Sequence, residues 1–266
     1  MLRWGIPPYR LPREIIDQEI QDILDTGVEL KTNTKVGRDI SFDELGQKFD
    51  HIFVAIGAGI PGEGAEGFIG AVEMLRAYNL GTKVNIGRKV AVIGGGNSAI
   101  DASRTTVRLG ADSVTIYYRR ERKDMPAQEE EIKAAEEEGV KIEYLTAPVK
   151  AVVKKGKVVG LELSRMKFGT FDKTGRKKTE AIPGSEFTVE VDTIIPAIGQ
   201  GAELNFIPPS SGIETGRTYV KVNDKLQTKN AKVWVGGDVV TGPAMVIDAI
   251  KAGQDVAKAI DDGYKS

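Results

Sequence analysis

A strand that runs into three consecutive glycines and then into a helix constrains this chain more than any other feature. Val90-Ala91-Val92-Ile93 is a buried-type β segment, Gly94-Gly95-Gly96 follows, and Asn97-Ser98-Ala99-Ile100-Asp101 opens a helical pattern. The spacing Gly94-x-Gly96-x-x-Ala99 is the Gly-x-Gly-x-x-Ala form of a dinucleotide-binding turn. Gly94 permits the sharp reversal, Gly96 has no Cβ to keep a pyrophosphate away, and Ala99 lets the helix lie close to the strand. The first N–H groups of the helix, at the positive end of its dipole, then hold the anion. Gly94, Gly95, Gly96, Asn97, Ser98 and Ala99 are the candidate contacts. A merely tight turn would use the same glycines; the strand before, the helix after and a second strand on schedule favour the nucleotide.

That second strand, Val114-Thr115-Ile116-Tyr117, ends in Tyr118-Arg119-Arg120-Glu121-Arg122-Lys123. In a fold of this kind the end of the second strand meets the adenosine ribose, and an acid there selects NAD. No acid ends this strand. Arg119 and Arg120 stand there instead, and guanidinium groups pair with phosphate in a fork at any working pH. The expected anion is the 2′-phosphate of NADP(H), with Lys123 a weaker candidate. The bland alternative is a surface cluster neutralised by Glu129–Glu131.

Residues 89–144 alternate strand and helix, with helices expected over about 97–109 and 127–138, which argues for parallel βαβ units. Residues 148–195 change character: Val149–Val153, Val158–Met166 and Phe187–Val191 read as an antiparallel meander, Lys155-Gly156 turning its first pair. Lys173–Lys178 reads as a solvated hairpin tip. Earlier, a helix is expected from Pro12 to Leu24, a short strand at Val28–Leu30, a capping box at Ser41 and Glu44, a strand at 51–56, a linker over 57–70 and a helix over 69–79. Asp192–Gly199 repeats the pattern of Asp50–Gly57, an Asp, a buried strand and Ala-Ile-Gly. Gly57 and Gly199 join the cofactor-contact candidates, and two such returns suggest that the chain crosses twice between two domains. A last strand, 232–235, precedes a helix over about 244–260.

Composition excludes several chemistries. The 266 residues include no cysteine and one histidine, His51, inside a strand-like run. Disulfide chemistry, Cys-ligated zinc and iron–sulfur clusters are ruled out, and no metal site or catalytic residue is expected. With 37 basic and 38 acidic side chains, general attraction to nucleic acid or to anionic membranes is not expected. No run is long enough to span a bilayer and no secretory h-region is visible, so the expected location is cytoplasmic.

The run "GGGNSAIDASRTTVRLGADSVTIYYRRERKDMPA" resembles the NADPH-binding segment of the glutamate synthase small (β) subunit family. That family includes ferredoxin:NADP oxidoreductase subunits and the N-terminal half of dihydropyrimidine dehydrogenase. "LRWGIPPYRLP" and "VWVGGDVVTGPAMVIDAIKAGQDVAKAI" look like the family's flavin-side motifs, in family order. The resemblance implies an α/β, two-domain FAD/NAD(P)-binding Rossmann-like fold of the pyridine nucleotide-disulfide reductase type, with the first domain incomplete. Residues 1–58 and 199–266 would form the flavin-type domain, and 59–198 the NADPH-binding domain with the meander at 148–195. It implies hydride transfer from NADPH to FAD, then electron delivery to a partner such as a glutamate synthase large subunit or a ferredoxin-like acceptor. Carried over by position, Gly237 and Asp238 would face the FAD ribityl and phosphate region, Ala244, Met245 and Val246 the flavin ring, and Arg10 would lie near FAD.

The family's first Gly-x-Gly-x-x-Gly unit, which holds the ADP part of FAD, has no counterpart before Gly5. FAD binding by this chain alone is therefore in doubt, and an open strand edge is expected, to be covered by a partner chain or by self-association into a homo-oligomer. The favoured reading is an NADPH-dependent electron-input module of a flavin oxidoreductase. The alternative is a non-catalytic NADP(H)-binding module, or a fragment unable to hold FAD. A disulfide reductase fails for want of cysteine.

Overall fold

The structure is a computed structural model that describes residues 1–58, 66–171, 177–199, 201–216 and 219–265. The elements, in chain order, are α1 (Arg13–Leu24), α2 (Phe42–Lys48), β1 (Ile52–Val54), α3 (Ala71–Asn79), β2 (Lys89–Ile93), α4 (Asn97–Arg108), β3 (Ser113–Tyr117) and α5 (Glu129–Glu137). They continue with β4 (Lys141–Glu143), β5 (Thr146–Lys154), β6 (Lys157–Phe171), β7 (Lys177–Ala181), β8 (Phe187–Val189), β9 (Thr193–Pro196), β10 (Val233–Val235), α6 (Asp238–Thr241) and α7 (Val246–Lys265). They form two compact units: Met1–Gly27 with Pro61–Ile198, and Val28–Ile60 with Gly199–Ser266.

The first unit is built on a four-stranded parallel sheet in the order β4-β3-β2-β9. Parallel strands are stable only when both faces are covered, and alternation along β2 shows how. Val90 and Val92 pack with Val114, Ile116 and Ile195 against Met74, Leu75, Ile100 and Ile132 of the helices. Ala91 and Ile93 point the other way, onto Val158, Leu161, Leu163 and Val191. The meander therefore serves as the second covering layer. It pairs β5-β6-β7, with β8 also on β6. β7 was not anticipated: Thr179 and Glu180 pair with Phe168 and Lys167 of the long β6, a register no local periodicity announces. Of the expected hairpin tip, residues 173–176 lie outside the described residues, as do 59–65 of the expected linker.

The second unit has a two-stranded parallel sheet, β1 beside β10. Its core gathers Phe42, Val54, Ile207, Val220, Val233, Val235 and Val239. The capping box at Ser41 and Glu44 is formed and starts α2. Val28–Leu30, expected as a strand, is not one. It has no partner strand among the described residues, and Val28 and Leu30 are more than half exposed.

One further correction concerns the chain path. Residues 1–27, assigned from sequence to the same domain as 28–58, belong to the unit with Pro61–Ile198, which adds a third crossing at 27/28. Long-range polar contacts explain it. Arg10 is hydrogen-bonded to Asp101 of α4, and Asn79 of α3 donates to the Trp4 carbonyl.

Candidate nucleotide site

The glycine turn joins β2 to α4, and each glycine answers to a different neighbour. Gly94 has φ +140°, and a Cβ there would strike the Ala197 carbonyl oxygen beyond the end of β9. Gly95 is required by Tyr118, whose ring would lie 2.6 Å from an added Cβ. Gly96 differs from both: nothing among the described residues lies within 4 Å of where its Cβ would be, and its φ is −90°. The protein itself therefore does not demand glycine at 96. Ala99 is fully buried against the sheet. No side chain caps α4; the Ala99 and Ile100 N–H groups donate to the Gly96 carbonyl, so those of Asn97 and Ser98 are the ones left for an outside acceptor. Asn97 turns its Oδ1 the other way, accepting from the Gln128 backbone N–H at 3.4 Å. Ala127 N–H donates to the Gly95 carbonyl at 3.2 Å, so the end of the 118–128 loop is tied back to the turn.

The cations after β3 separate into two kinds. Arg122 is neutralised by Glu129 at 2.8 Å and Glu136 at 2.6 Å, and Lys123 by Glu121 at 2.6 Å. Arg119 and Arg120 make no ion pair among the described residues. Arg119 is exposed, while the Nε of Arg120 is buried with no partner. The Arg120 carbonyl accepts from Leu145 N–H at 3.1 Å, and Tyr118 N–H donates to Glu143. The two strand-end arginines thus sit on a fixed backbone with their charge unspent, whereas Arg122 and Lys123 belong to the surface network.

Beside this turn is a cluster that the sequence reading missed. Asp101 is 4% exposed, and Arg10 donates from Nη1 to both its carboxylate oxygens, at 2.9 and 2.8 Å. Burial pushes the Asp101 carboxyl up to about 6 despite the opposing Arg10. Arg104 bonds Glu131 and Glu138, and Arg108 also bonds Glu138, which these arginines hold down at about 2. The Tyr9 ring lies 4.5 Å from the guanidinium of both Arg104 and Arg108. Burial raises the Tyr9 hydroxyl to about 12. Arg10, expected near FAD, is hydrogen-bonded to Asp101 in the first unit. The overlooked signal was the spacing Asn97, Asp101, Arg104, Arg108, which lays one polar stripe along a helix facing a glutamate-rich one.

In the second unit Gly237 has φ +75° and Gly57 φ +68°, left-handed conformations that favour glycine. Gly199 has φ +119°. Asp238 accepts from the Ala244 N–H through Oδ1 at 3.2 Å, so part of its carboxylate serves the local turn. Ala244, Met245 and Val246 are exposed at the start of α7.

Residues 14–253 match the pyridine nucleotide-disulphide oxidoreductase family. The chain belongs to that family. A protein called NADPH-Fe(3+) oxidoreductase subunit beta, from Geobacter sulfurreducens, is 39% identical over 98% of this chain and 44% of its own length. The NADP(+)-dependent formate dehydrogenase subunit beta of Moorella thermoacetica is 41% identical over 98% of this chain and 38% of its own. The glutamate synthase [NADPH] small chain of Escherichia coli is 33% identical over 98% and 60% respectively. The chain therefore spans roughly half the length of these relatives. Among solved structures, Mycobacterium tuberculosis FprA in complex with NADPH superposes with a TM-score of 0.78 at 18% identity, over 99% of this chain and 75% of that one. This member of the family contains no cysteine in its 266 residues, so they supply no redox-active thiol pair. No described helix is long and apolar enough to cross a membrane.

Proposed function

We propose that this chain is the NADPH-binding, electron-input portion of a flavin-dependent oxidoreductase resembling the glutamate synthase small chain and its β-subunit relatives. The observation that carries this reading is the pair Arg119 and Arg120, unpaired and held at the end of β3, beside a glycine turn that is open at Gly96. In this assignment Gly94, Gly95 and Ala99 shape the turn, and Gly96 with the N–H groups at Asn97 and Ser98 receives the pyrophosphate. Arg119 and Arg120 take the 2′-phosphate, with Lys123 at the edge of the same field. FAD, when bound, supplies the hydride acceptor. Residues Gly57, Gly199, Gly237, Asp238, Ala244, Met245 and Val246 are its proposed contacts, and the buried Nε of Arg120 supports the fit for NADP(H) more directly than any single feature supports FAD. Electrons then pass to a partner subunit, and the working compartment is the cytoplasm. The names of the relatives, a β subunit or small chain in each case, favour such a partner.

The test is a cofactor titration of the purified chain with NADPH, NADH and FAD. NADPH should bind more tightly than NADH, and Arg119→Ala should remove on the order of tenfold or more of that preference, the scale of a charge-assisted hydrogen bond. Equal losses for both nucleotides would sink the 2′-phosphate assignment. A yellow protein that reduces a dye with NADPH supports the enzyme. A colourless one whose melting temperature rises with NADPH supports the alternative, a non-catalytic NADP(H)-binding module.

A further inference from the structure

Helix α4 carries Asp101 one turn beyond its phosphate-binding end, and Arg10, 91 residues earlier in the chain, is the one cation hydrogen-bonded to that carboxylate among the described residues. Arg10 also reaches across to α5: its Nε lies 3.5 Å from Glu131 Oε1, while the other Glu131 oxygen receives Arg104. One guanidinium therefore ties α4 to α5. The position of α5 in turn sets the end of the loop bearing Arg119 and Arg120. That loop runs into α5 through Ala127 and Gln128, whose amides bond Gly95 O and Asn97 Oδ1. We infer that Arg10 is a positioning residue for nucleotide selection, which by bridging Asp101 and Glu131 holds the 118–128 loop where its free arginines meet the extra phosphate. This rests on the NADPH reading above for its consequence, though not for its geometry.

Arg10→Met should loosen the loop without touching a proposed NADP(H) contact. In the nucleotide-free chain, hydrogen exchange at the Ala127 and Gln128 amides should accelerate by about tenfold or more, because both are closed by the α5 docking that Arg10 supports. The preference for NADPH over NADH should fall by about tenfold, with NADH affinity changed by no more than about twofold. Arg10→Lys separates positioning from simple charge neutralisation. A lysine can satisfy Asp101 but cannot fork to Glu131, so melting temperature should recover while the preference stays reduced. Full recovery of the preference in Arg10→Lys would overturn the bridging role. Should Arg10→Met fail to fold, Arg10→Met with Asp101→Asn removes the uncompensated buried charge and carries the same measurements. Unchanged exchange at 127 and 128 overturns the inference whatever the nucleotide result. A wild-type chain with no NADPH preference instead defeats the functional reading and leaves the exchange measurement to judge Arg10.

Discussion

β2 and β1 are both short parallel strands, yet every residue of β2 after Lys89 is buried, whereas in β1 only Val54 is. β2 has a strand on each side and packed layers on both faces. Among the described residues β1 has one neighbour, and its Phe53 is 40% exposed. The helices repeat the contrast. α4 buries eight of its twelve residues, while α7, with twenty, buries Val256 alone. A turn fixed from two faces has its backbone decided by the protein, so a ligand meets a preformed seat. The head of α7 leaves Met245, Val246, Ile247 and Ile250 exposed. The glycine turn of the first unit is therefore the more firmly packed, and the α7 start of the second the more exposed.

Perturbations that treat the two units differently test this contrast. The largest effect is expected from Ile100→Ala, which empties a fully buried position in the first core and should cost about 2–5 kcal/mol in urea unfolding. A loss below about 1 kcal/mol would mean that this core is not closed as described. Next comes Gly96→Val. Because the space at its Cβ is open, the fold should be spared and NADPH affinity should fall on the order of 100-fold, about 2.7 kcal/mol. Unchanged affinity would remove the pyrophosphate from this turn.

A pH effect should be smaller and of defined sign. The Asp101 carboxyl, whose ordinary value is 3.8, is pushed up to about 6 by burial, with Arg10 and Arg104 opposing and Glu131 adding. The folded state then keeps this proton to higher pH than the unfolded chain does. Its ionisation weakens the fold as pH climbs from about 4 to about 6, and the contribution is flat above that. The stability of wild type minus that of Asp101→Asn should decline over this interval; a level difference would contradict the shifted group. The smallest effect is expected from Ile250→Ser on the exposed start of α7, within about 0.5 kcal/mol, as for an ordinary surface position. A cost near that of Ile100→Ala would show that this face is covered in solution and would erase the contrast between the units.

The parts legible in the sequence were those set by neighbours within a few residues. The strand, three glycines and helix at 90–108 announce the turn because their periods and the Gly-x-Gly-x-x-Ala spacing are local, although the neighbours that require Gly94 and Gly95, namely Ala197 and Tyr118, are brought there by the fold. Arg119 and Arg120 follow from strand length alone. The capping box at Ser41 and Glu44 was visible for the same reason. Periodicity placed the meander but not β7, whose pairing with β6 depends on a register that no repeat encodes.

Which arginines are spent was decided only in the folded molecule. Arg122 and Arg119 are alike in sequence, and it is α5, brought alongside, that neutralises one and leaves the other. Likewise the hydrogen bond of Arg10 to Asp101, 91 positions away, is made only by the fold. The chain's own letters announce the glycine turn, since its strand, spacing and helix are local patterns. Charge pairing and the membership of residues 1–27 are tertiary, since both depend on which distant surfaces exclude water together.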